Sequence, residues 1–177
     1  TPTSLSAENA ARVLSTLRRV LPLANDYELT LEGRIHDLVP EKIEAWLANG
    51  VNRISLGVQS FDTKVRQSQG RIETREEVLE RLKLLKSYEQ CSVVLDLIYG
   101  LPGQSMEVWQ QDLDDLIASG IDGADFYQLN VFEGSDLNKR IAEGKLDPAA
   151  TTKEQAKMYA FAHDYMKKRG WRQLSMC

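Results

Sequence analysis

The chain has 177 residues, of which 42% are hydrophobic and 27% are charged, and its formal net charge is −4. This size predicts one domain with a core of its own, and the acidic balance argues against the basic surface that binds nucleic acid. No apolar run approaches the roughly 18 residues of a membrane span, and the first residues lack the features of a signal peptide. The two cysteines, Cys91 and Cys177, form neither a disulfide framework nor a metal motif, so we expect a cytoplasmic protein.

Helix and strand signals alternate along the first half of the chain. Ser6 is placed to cap a first helix, and residues 27–32 alternate as a strand. Pro40 suits the first turn of a second helix, which Gly50 ends. Residues 52–58 then have the alternation of a second strand.

The same alternation continues through the second half. We predict three further strands, at residues 92–98, 125–131 and 171–176. The accompanying helices start at three caps, which are the box of Thr74 with Glu77, the single cap Ser105 and the box of Thr152 with Gln155. A short helix is expected at 136–143 inside the longest irregular stretch.

Repeated strand–helix–strand units of about 30 residues predict an α/β fold with parallel strands and right-handed crossovers. Residues 92–98 are almost continuously apolar, as in a strand that is covered on both faces. Both a barrel-like sheet and an open doubly wound sheet fit this pattern.

Polar residues fall at the carboxyl ends of the predicted strands, where parallel α/β folds place their sites. These residues are Glu32, Gln59, Asp96 and Asn130. Each alone could cap a turn or end a strand, but four on one rim would suit a ligand with several hydroxyls, such as a ribose. Arg71 precedes a helix on the same rim and could hold a carboxylate in a bidentate fork, or could be a solvated loop cation.

No self-sufficient catalytic arrangement accompanies this rim. The sequence shows no Ser/His/Asp or Cys/His set and no carboxylate pair of the glycosidase kind. His163 is predicted to be a surface residue of the last helix, and Met158, Phe161 and Tyr165 are predicted to pack in the core. The residues therefore indicate an enzyme whose chemistry belongs to a cofactor, with catalytic residues unassigned.

Several motifs, in chain order, resemble the oxygen-independent coproporphyrinogen III oxidase-like group of radical S-adenosylmethionine (SAM) enzymes. The resemblance extends over roughly residues 1–135. The motifs that carry it are TPT at 1–3, ELTLEG at 28–33, NRISLGVQSFD at 52–62, GR at 70–71 and DLIYGLPGQ at 96–104.

The resemblance implies a partial (β/α) TIM-like barrel. Residues 1–135 would form a radical SAM core fragment with the third to sixth barrel strands, and 136–177 a C-terminal extension with a helix and a further strand. The family binds a 4Fe–4S cluster through a CxxxCxxC loop that precedes a GGGTPT motif. This chain begins at TPT, so we expect the cluster ligands to lie outside it, no metal ligands within it, and no activity from the fragment alone.

The resemblance also implies a SAM site. Its members would be Thr1, Glu32, Gln59, Arg71 and Asp96. Arg71 would pair with the methionyl carboxylate, Gln59 and Asp96 would bond the ribose hydroxyls, and Glu32 and Thr1 would lie near the amino group and the cluster. Asn130 is a further candidate on the rim for SAM or substrate.

Within the group, the segments 126–146, 151–162 and 170–177 look most like the anaerobic haem-degrading branch of methyltransferases. That branch implies haem ring-opening with methyl transfer from SAM, a tetrapyrrole substrate and an electron donor such as a flavodoxin. Two relatives within the group stay open, an oxygen-independent coproporphyrinogen III dehydrogenase of haem synthesis and a haem-chaperone-like non-enzyme. A purely structural α/β domain with a decorated rim is the remaining alternative.

Overall fold

Four parallel strands form the sheet in a computed structural model that describes residues 1–175. The strands are β1 (Thr30–Gly33), β2 (Arg53–Gln59), β3 (Ser92–Tyr99) and β4 (Gly123–Gln128). Their order in the sheet is β1-β2-β3-β4, and β1 pairs with β2 in a register that sets Glu32 opposite Ser55. The predicted α/β class is confirmed. Because the spatial order follows the chain order with no reversal, the sheet is of the barrel kind and not doubly wound.

Seven α-helices occur in the described chain. They are α1 (Ala7–Val20), α2 (Pro40–Ala48), α3 (Thr63–Ser68), α4 (Arg75–Lys86), α5 (Met106–Ala118), α6 (Asp136–Ala142) and α7 (Thr152–Lys168). The caps at Ser6 and Ser105 are confirmed, since their hydroxyls accept hydrogen bonds from the backbone N–H groups of Asn9 and Val108. Pro40 occupies the first turn of α2, as predicted. The short α3 was not predicted; Asp62 caps it by accepting from Val65 N at 2.9 Å.

The capping box of α7 lies one residue earlier than predicted. Thr151 and Glu154 form it, in place of Thr152 and Gln155. Gln155 is buried, and its amide donates to the carbonyl of Leu129 at 2.9 Å. Its side chain is therefore engaged away from the helix start, and the exposed Glu154 serves the cap.

Three predicted strand boundaries need correction. The first strand starts at Thr30, and not at residue 27, because the Asn52 side chain bonds the backbone of Tyr27 and Leu29 in place of a ladder. The fourth strand ends at Gln128, so Asn130 lies beyond it. Residues 171–175 are not a strand, since Trp171 N–H is taken by the carbonyl of Met166 at the end of α7. The last predicted strand residue, Met176, lies outside the described residues, as does Cys177.

The chain forms two compact units. The first contains residues 1–58, 76–96 and 119–125, and the second contains 59–75, 97–118 and the described chain from 126 onward. The division of the chain at residue 135 stays a prediction.

Each unit has its own buried core. Fully buried apolar side chains of the first unit include Ile43, Trp46, Ile54, Leu56, Val93 and Leu95. In the second unit, Trp109 of α5 is fully buried and donates its indole N–H to the carbonyl of Met158 on α7 at 3.0 Å. The Phe126 ring meets the Trp109 ring edge-on at 5.5 Å between centroids. These contacts hold α7 against α5, while His163 is exposed, as predicted.

Candidate functional site

A row of polar side chains crosses the sheet in the first unit. We call it the polar row, and its members are Glu32 of β1, Ser55 of β2, Asp96 of β3 and Asp125 of β4. Glu32 is paired in register with Ser55, and the Ser55 hydroxyl is hydrogen bonded to Asp96. Asp125 lies close enough to Asp96 to act on it electrostatically. The structure thus brings together two of the predicted site residues, Glu32 and Asp96.

Ser55 and Asp125 were missed by the sequence analysis. Site residues were expected at the carboxyl ends of strands, and Asp125 stood at the start of the predicted strand 125–131. The strand in fact begins at Gly123 and ends at Gln128, so Asp125 is its third residue and does not lie at a strand end. The period of two along a strand would have found Ser55, because Ser55, Gly57 and the predicted site residue Gln59 alternate with the apolar residues of this stretch.

The polar row holds more acceptors than donors. Burial raises the pKa of Asp96, and the neighbouring carboxylates of Asp125 and Glu32 raise it further. The Ser55 hydroxyl and the Arg53 guanidinium oppose this rise. Because ionised carboxylates only accept hydrogen bonds, hydroxyl or ammonium groups of a ligand would relieve the crowding.

The N-terminal turn is anchored beside this row. Thr3 is fully buried and donates to Asp37 at 2.7 Å. A Cβ added to Gly33, the residue after Glu32, would lie 2.2 Å from the Thr3 methyl group, so only glycine fits there. Thr1 is exposed, and its carbonyl accepts from the backbone N–H of Ser4 at 3.1 Å. The close packing of Thr3 on Gly33 therefore fixes where Thr1 emerges.

Gln59 and Arg71 belong to the second unit. Gln59 ends β2 with a φ of 71°, in the left-handed region that non-glycine residues rarely adopt. Arg71 follows α3, is partly exposed, and donates its backbone N–H to the carbonyl of Arg66 at 3.1 Å. A left-handed polar residue at a strand end is a common mark of a functional position.

Asn130 lies two residues past β4 and is exposed. Its neighbour Leu129 is held on both sides, by Tyr99 at its N–H and by Gln155 at its carbonyl. Asn130 belongs to the second unit, whereas the polar row belongs to the first. The assignment of this and the other predicted site residues to SAM stays a prediction.

The described residues include no set of three or more His, Cys, Asp or Glu side chains arranged to hold a metal ion. The described cysteine, Cys91, is half-buried, and burial raises the pKa of its thiol. Within residues 1–175, no helix is both long and apolar enough to cross a membrane.

The family model of the radical SAM superfamily matches residues 4–116, which is more than half of the chain. The chain belongs to the radical SAM superfamily. The matched segment contains the polar row up to Asp96, as well as Gln59 and Arg71.

Two curated proteins are similar to nearly the whole of this chain. The chain is 38% identical over 175 residues to the anaerobilin synthase of Escherichia coli O157:H7, covering 99% of this chain and 39% of the relative. It is 32% identical over 171 residues to the haem chaperone HemW of Lactococcus lactis, covering 97% of this chain and 45% of that protein. The chain thus spans about two fifths of the length of these relatives.

Solved structures of radical SAM proteins share the fold. The coproporphyrinogen III oxidase HemN of Escherichia coli superposes with a TM-score of 0.87 at 22% identity, over 99% of this chain and 40% of that one. The archaeal Elp3 of Methanocaldococcus infernus gives a TM-score of 0.75 at 18% identity, over 97% of this chain and 53% of that one. The barrel-like radical SAM fold predicted from the sequence is confirmed.

The superfamily implies two groups, SAM and a 4Fe–4S cluster, and this chain's residues fit only the first. SAM carries ribose hydroxyls, an amino group and a carboxylate, which match the acceptors of the polar row and a guanidinium such as that of Arg71. A cluster needs several thiolates, and the sequence has two cysteines far apart in the chain. This sequence therefore lacks the set of thiolates that a cluster requires.

Proposed function

We propose that this chain is the SAM-binding part of a radical SAM enzyme that opens the haem ring anaerobically and transfers a methyl group from SAM. The observation that carries the SAM site is the polar row, in which the carboxylates of Glu32 and Asp125 lie near that of Asp96, which is hydrogen bonded to the Ser55 hydroxyl. The choice of haem degradation rests on the 38% identity to anaerobilin synthase. When bound, SAM and a reduced cluster supply the radical chemistry and the methyl group.

The residues of this chain hold and orient SAM in the proposal. Asp96 and Gln59 accept from the ribose hydroxyls, and Arg71 pairs with the methionyl carboxylate. Glu32 and Thr1 receive the amino group, and Asn130 contributes to the rim. The tight packing of Thr3 on Gly33 supports the roles of Thr1 and Glu32, because it ties the N-terminal turn to the end of β1. Such positioning lowers the entropic part of the barrier.

The proposal includes a tetrapyrrole substrate, an electron donor such as a flavodoxin and a cytoplasmic location. The test uses the full-length protein, reconstituted anaerobically and supplied with SAM, reductant and haem. Loss of the haem spectrum together with a methylated linear tetrapyrrole, detected by mass spectrometry, is expected. Haem left unchanged beside conversion of coproporphyrinogen III would replace haem degradation with the dehydrogenase of haem synthesis.

A haem chaperone is the second candidate, favoured by the 32% identity to HemW. It predicts stoichiometric haem binding with no haem consumption under the same reducing conditions. Spectrophotometric titration with haem before and after the addition of reductant and SAM separates it from the enzyme. As a control, omission of SAM must abolish haem loss in the enzyme.

A further inference from the structure

Asp112 of α5 is a buried carboxylate with a full set of donors, all in the second unit. The Ser60 hydroxyl lies 2.9 Å from each of its oxygens. The backbone N–H of Phe61 donates to Oδ1 at 2.6 Å, and the Gln104 amide donates to Oδ2 at 3.0 Å. The side chain is 1% exposed. Asp112 therefore ties the residues just after β2 to the turn just after β3.

Gln104, which donates to Asp112, also bonds the backbone of the turn after β3. Its Oε1 accepts from the N–H groups of Gly100 at 2.8 Å and Leu101 at 3.2 Å. Its Nε2 also donates to the carbonyl of Ile98 at 3.1 Å. Because Oε1 is committed to two N–H donors, the amide has one orientation and must present an N–H to Asp112.

Arg66 of α3 also bonds the residues just after β2, at the carbonyl of Ser60. Its buried guanidinium donates to the carbonyl of Ser60 at 3.1 Å and to the Glu73 carboxylate at 3.1 Å. The carbonyl of Arg66 in turn accepts from the backbone N–H of Arg71. Ser60 is thus held at its hydroxyl by Asp112 and at its carbonyl by Arg66.

The residue before Ser60 is the strained Gln59. A left-handed non-glycine residue persists only where its neighbours over-determine the backbone. Gln59 has a φ of 71°, and Ser60 and Phe61 directly after it are bonded to Asp112 and Arg66. The bonds at Ser60 and Phe61 are the visible source of that constraint.

We propose that Asp112 is a positioning residue for SAM binding, which holds Ser60, Phe61 and Gln104 and thereby keeps Gln59 in the left-handed conformation that presents its amide to SAM. Asp112 itself does not touch SAM. The inference rests on the SAM site of the proposed function and adds to it a residue that acts through the backbone.

Helix α5 offers a matched control, because Asp115 is a second carboxylate with nearly the same burial, 3% exposed against 1% for Asp112. The Asp115 oxygens accept two hydrogen bonds from Arg75, both at 2.6 Å, and one from Gln111 at 3.1 Å. Asp115 thus serves the start of α4 and its own helix. A loss of stability without a loss of positioning is the expected result of its substitution.

The test compares Asp112→Asn with Asp115→Asn in the full-length, anaerobically reconstituted protein. An asparagine at 112 sets an N–H₂ group against an N–H donor, either that of Gln104 or that of Phe61, because neither partner can turn. We expect the dissociation constant for SAM to rise by about tenfold or more in Asp112→Asn. In Asp115→Asn it stays within about twofold of the wild-type value, although both variants unfold at lower temperature.

Isothermal titration with SAM gives the dissociation constants, and steady-state kinetics of SAM cleavage give a readout that a purely structural role would not move. In Asp112→Asn, KM for SAM rises while kcat at saturating SAM changes little. Ser60→Ala, which keeps the carboxylate and removes its hydroxyl donor, serves if Asp112→Asn does not fold; it raises the dissociation constant by a smaller factor.

Equal SAM affinities of the Asp112 and Asp115 variants, with a wild type that binds SAM, would overturn this inference alone. If Asp112→Asn does not fold, an unchanged affinity in Ser60→Ala does the same. A wild-type holoprotein that binds no SAM would instead overturn the proposed function, and this inference with it.

Discussion

Asp96 in the polar row is half-buried and Asp112 on α5 is fully buried, and burial raises the pKa of each carboxylate. Their neighbours differ in kind. Asp96 is hydrogen bonded by one hydroxyl and faces two more carboxylates. Asp112 is surrounded by donors of the chain itself, namely a hydroxyl, a backbone N–H and an amide.

A ligand site and an internal support differ in what uses the acceptor capacity of their carboxylates. A carboxylate whose acceptor capacity is used by the chain needs no further partner and stabilises the backbone around it. A carboxylate crowded by like charges is costly in the folded chain unless a ligand brings donors. Asp96 in the polar row is crowded by like charges and needs a ligand's donors. The donors around Asp112 all come from the chain itself.

Asp96→Ala is the substitution that tests this difference most directly. If Asp96 accepts from ligand hydroxyls, its loss should weaken SAM binding by about hundredfold, since hydrogen bonds to a charged group contribute about 1.5–3 kcal/mol each. Titration calorimetry on the reconstituted full-length protein measures the effect. Removing a crowded carboxylate should cost little stability.

Asp122→Ala is its control in the same unit. Asp122 lies at the opposite, amino end of the strands, where it accepts from Lys86 and from the backbone N–H of Val93. Its loss should lower the melting temperature and leave SAM affinity within about twofold. Equal affinity losses in the Asp96 and Asp122 variants would show that Asp96 has no special role in binding SAM.

Gln59 combines both roles, because its side chain belongs to the proposed SAM site and its backbone is held by the bonds around Asp112. Gln59→Ala keeps the left-handed strain and removes the amide, whereas Gln59→Gly removes both. We expect both variants to bind SAM about tenfold more weakly. The glycine variant should be the more stable of the two by about 1 kcal/mol, as measured by chemical denaturation. A glycine variant less stable than the alanine variant would show that Gln59 is not strained.

The smallest expected effect concerns the pH dependence of binding. The Asp125 carboxylate raises the pKa of Asp96, so Asp125→Asn should lower it. Asp96 then stays ionised, and able to accept from a ligand, down to a lower pH. The pH below which SAM affinity falls should therefore move downward, with a change of less than about threefold in affinity at neutral pH. SAM titrations across a pH series measure it, and an upward shift would contradict the crowding of the polar row.

Local sequence signals were enough for most of the elements. The caps at Ser6 and Ser105 and the proline at the start of α2 were predicted from the chemistry of one helical turn, and the structure confirms them. The box at Thr151 was displaced by one residue because burial of Gln155, a tertiary effect, removed the predicted partner. The strand predicted at 171–176 failed over 171–175 for a similar reason, since the end of α7 uses the N–H of Trp171.

The candidate site was only partly visible in the sequence. Glu32 and Asp96 stood out as polar residues in strands, and the structure brings them together. Asp125 was missed because its recognition required the true start of β4. Arg66 was missed because nothing in residues 63–68 distinguishes a buried guanidinium from a surface cation, although it is 1% exposed in the fold.

By itself, the sequence determined the alternation of helices and strands, the parallel α/β class and the resemblance to radical SAM proteins, because these depend on local periodicity and on short motifs. Tertiary structure alone decided the roles of its carboxylates. In QQDLDDL, Asp112 and Asp115 resemble the charges of a solvated helix face. Asp112 acquires its donors from Ser60 and Phe61, which are more than fifty residues away in the chain. A carboxylate's function depends on whether donors or other carboxylates surround it, and folding alone places those neighbours.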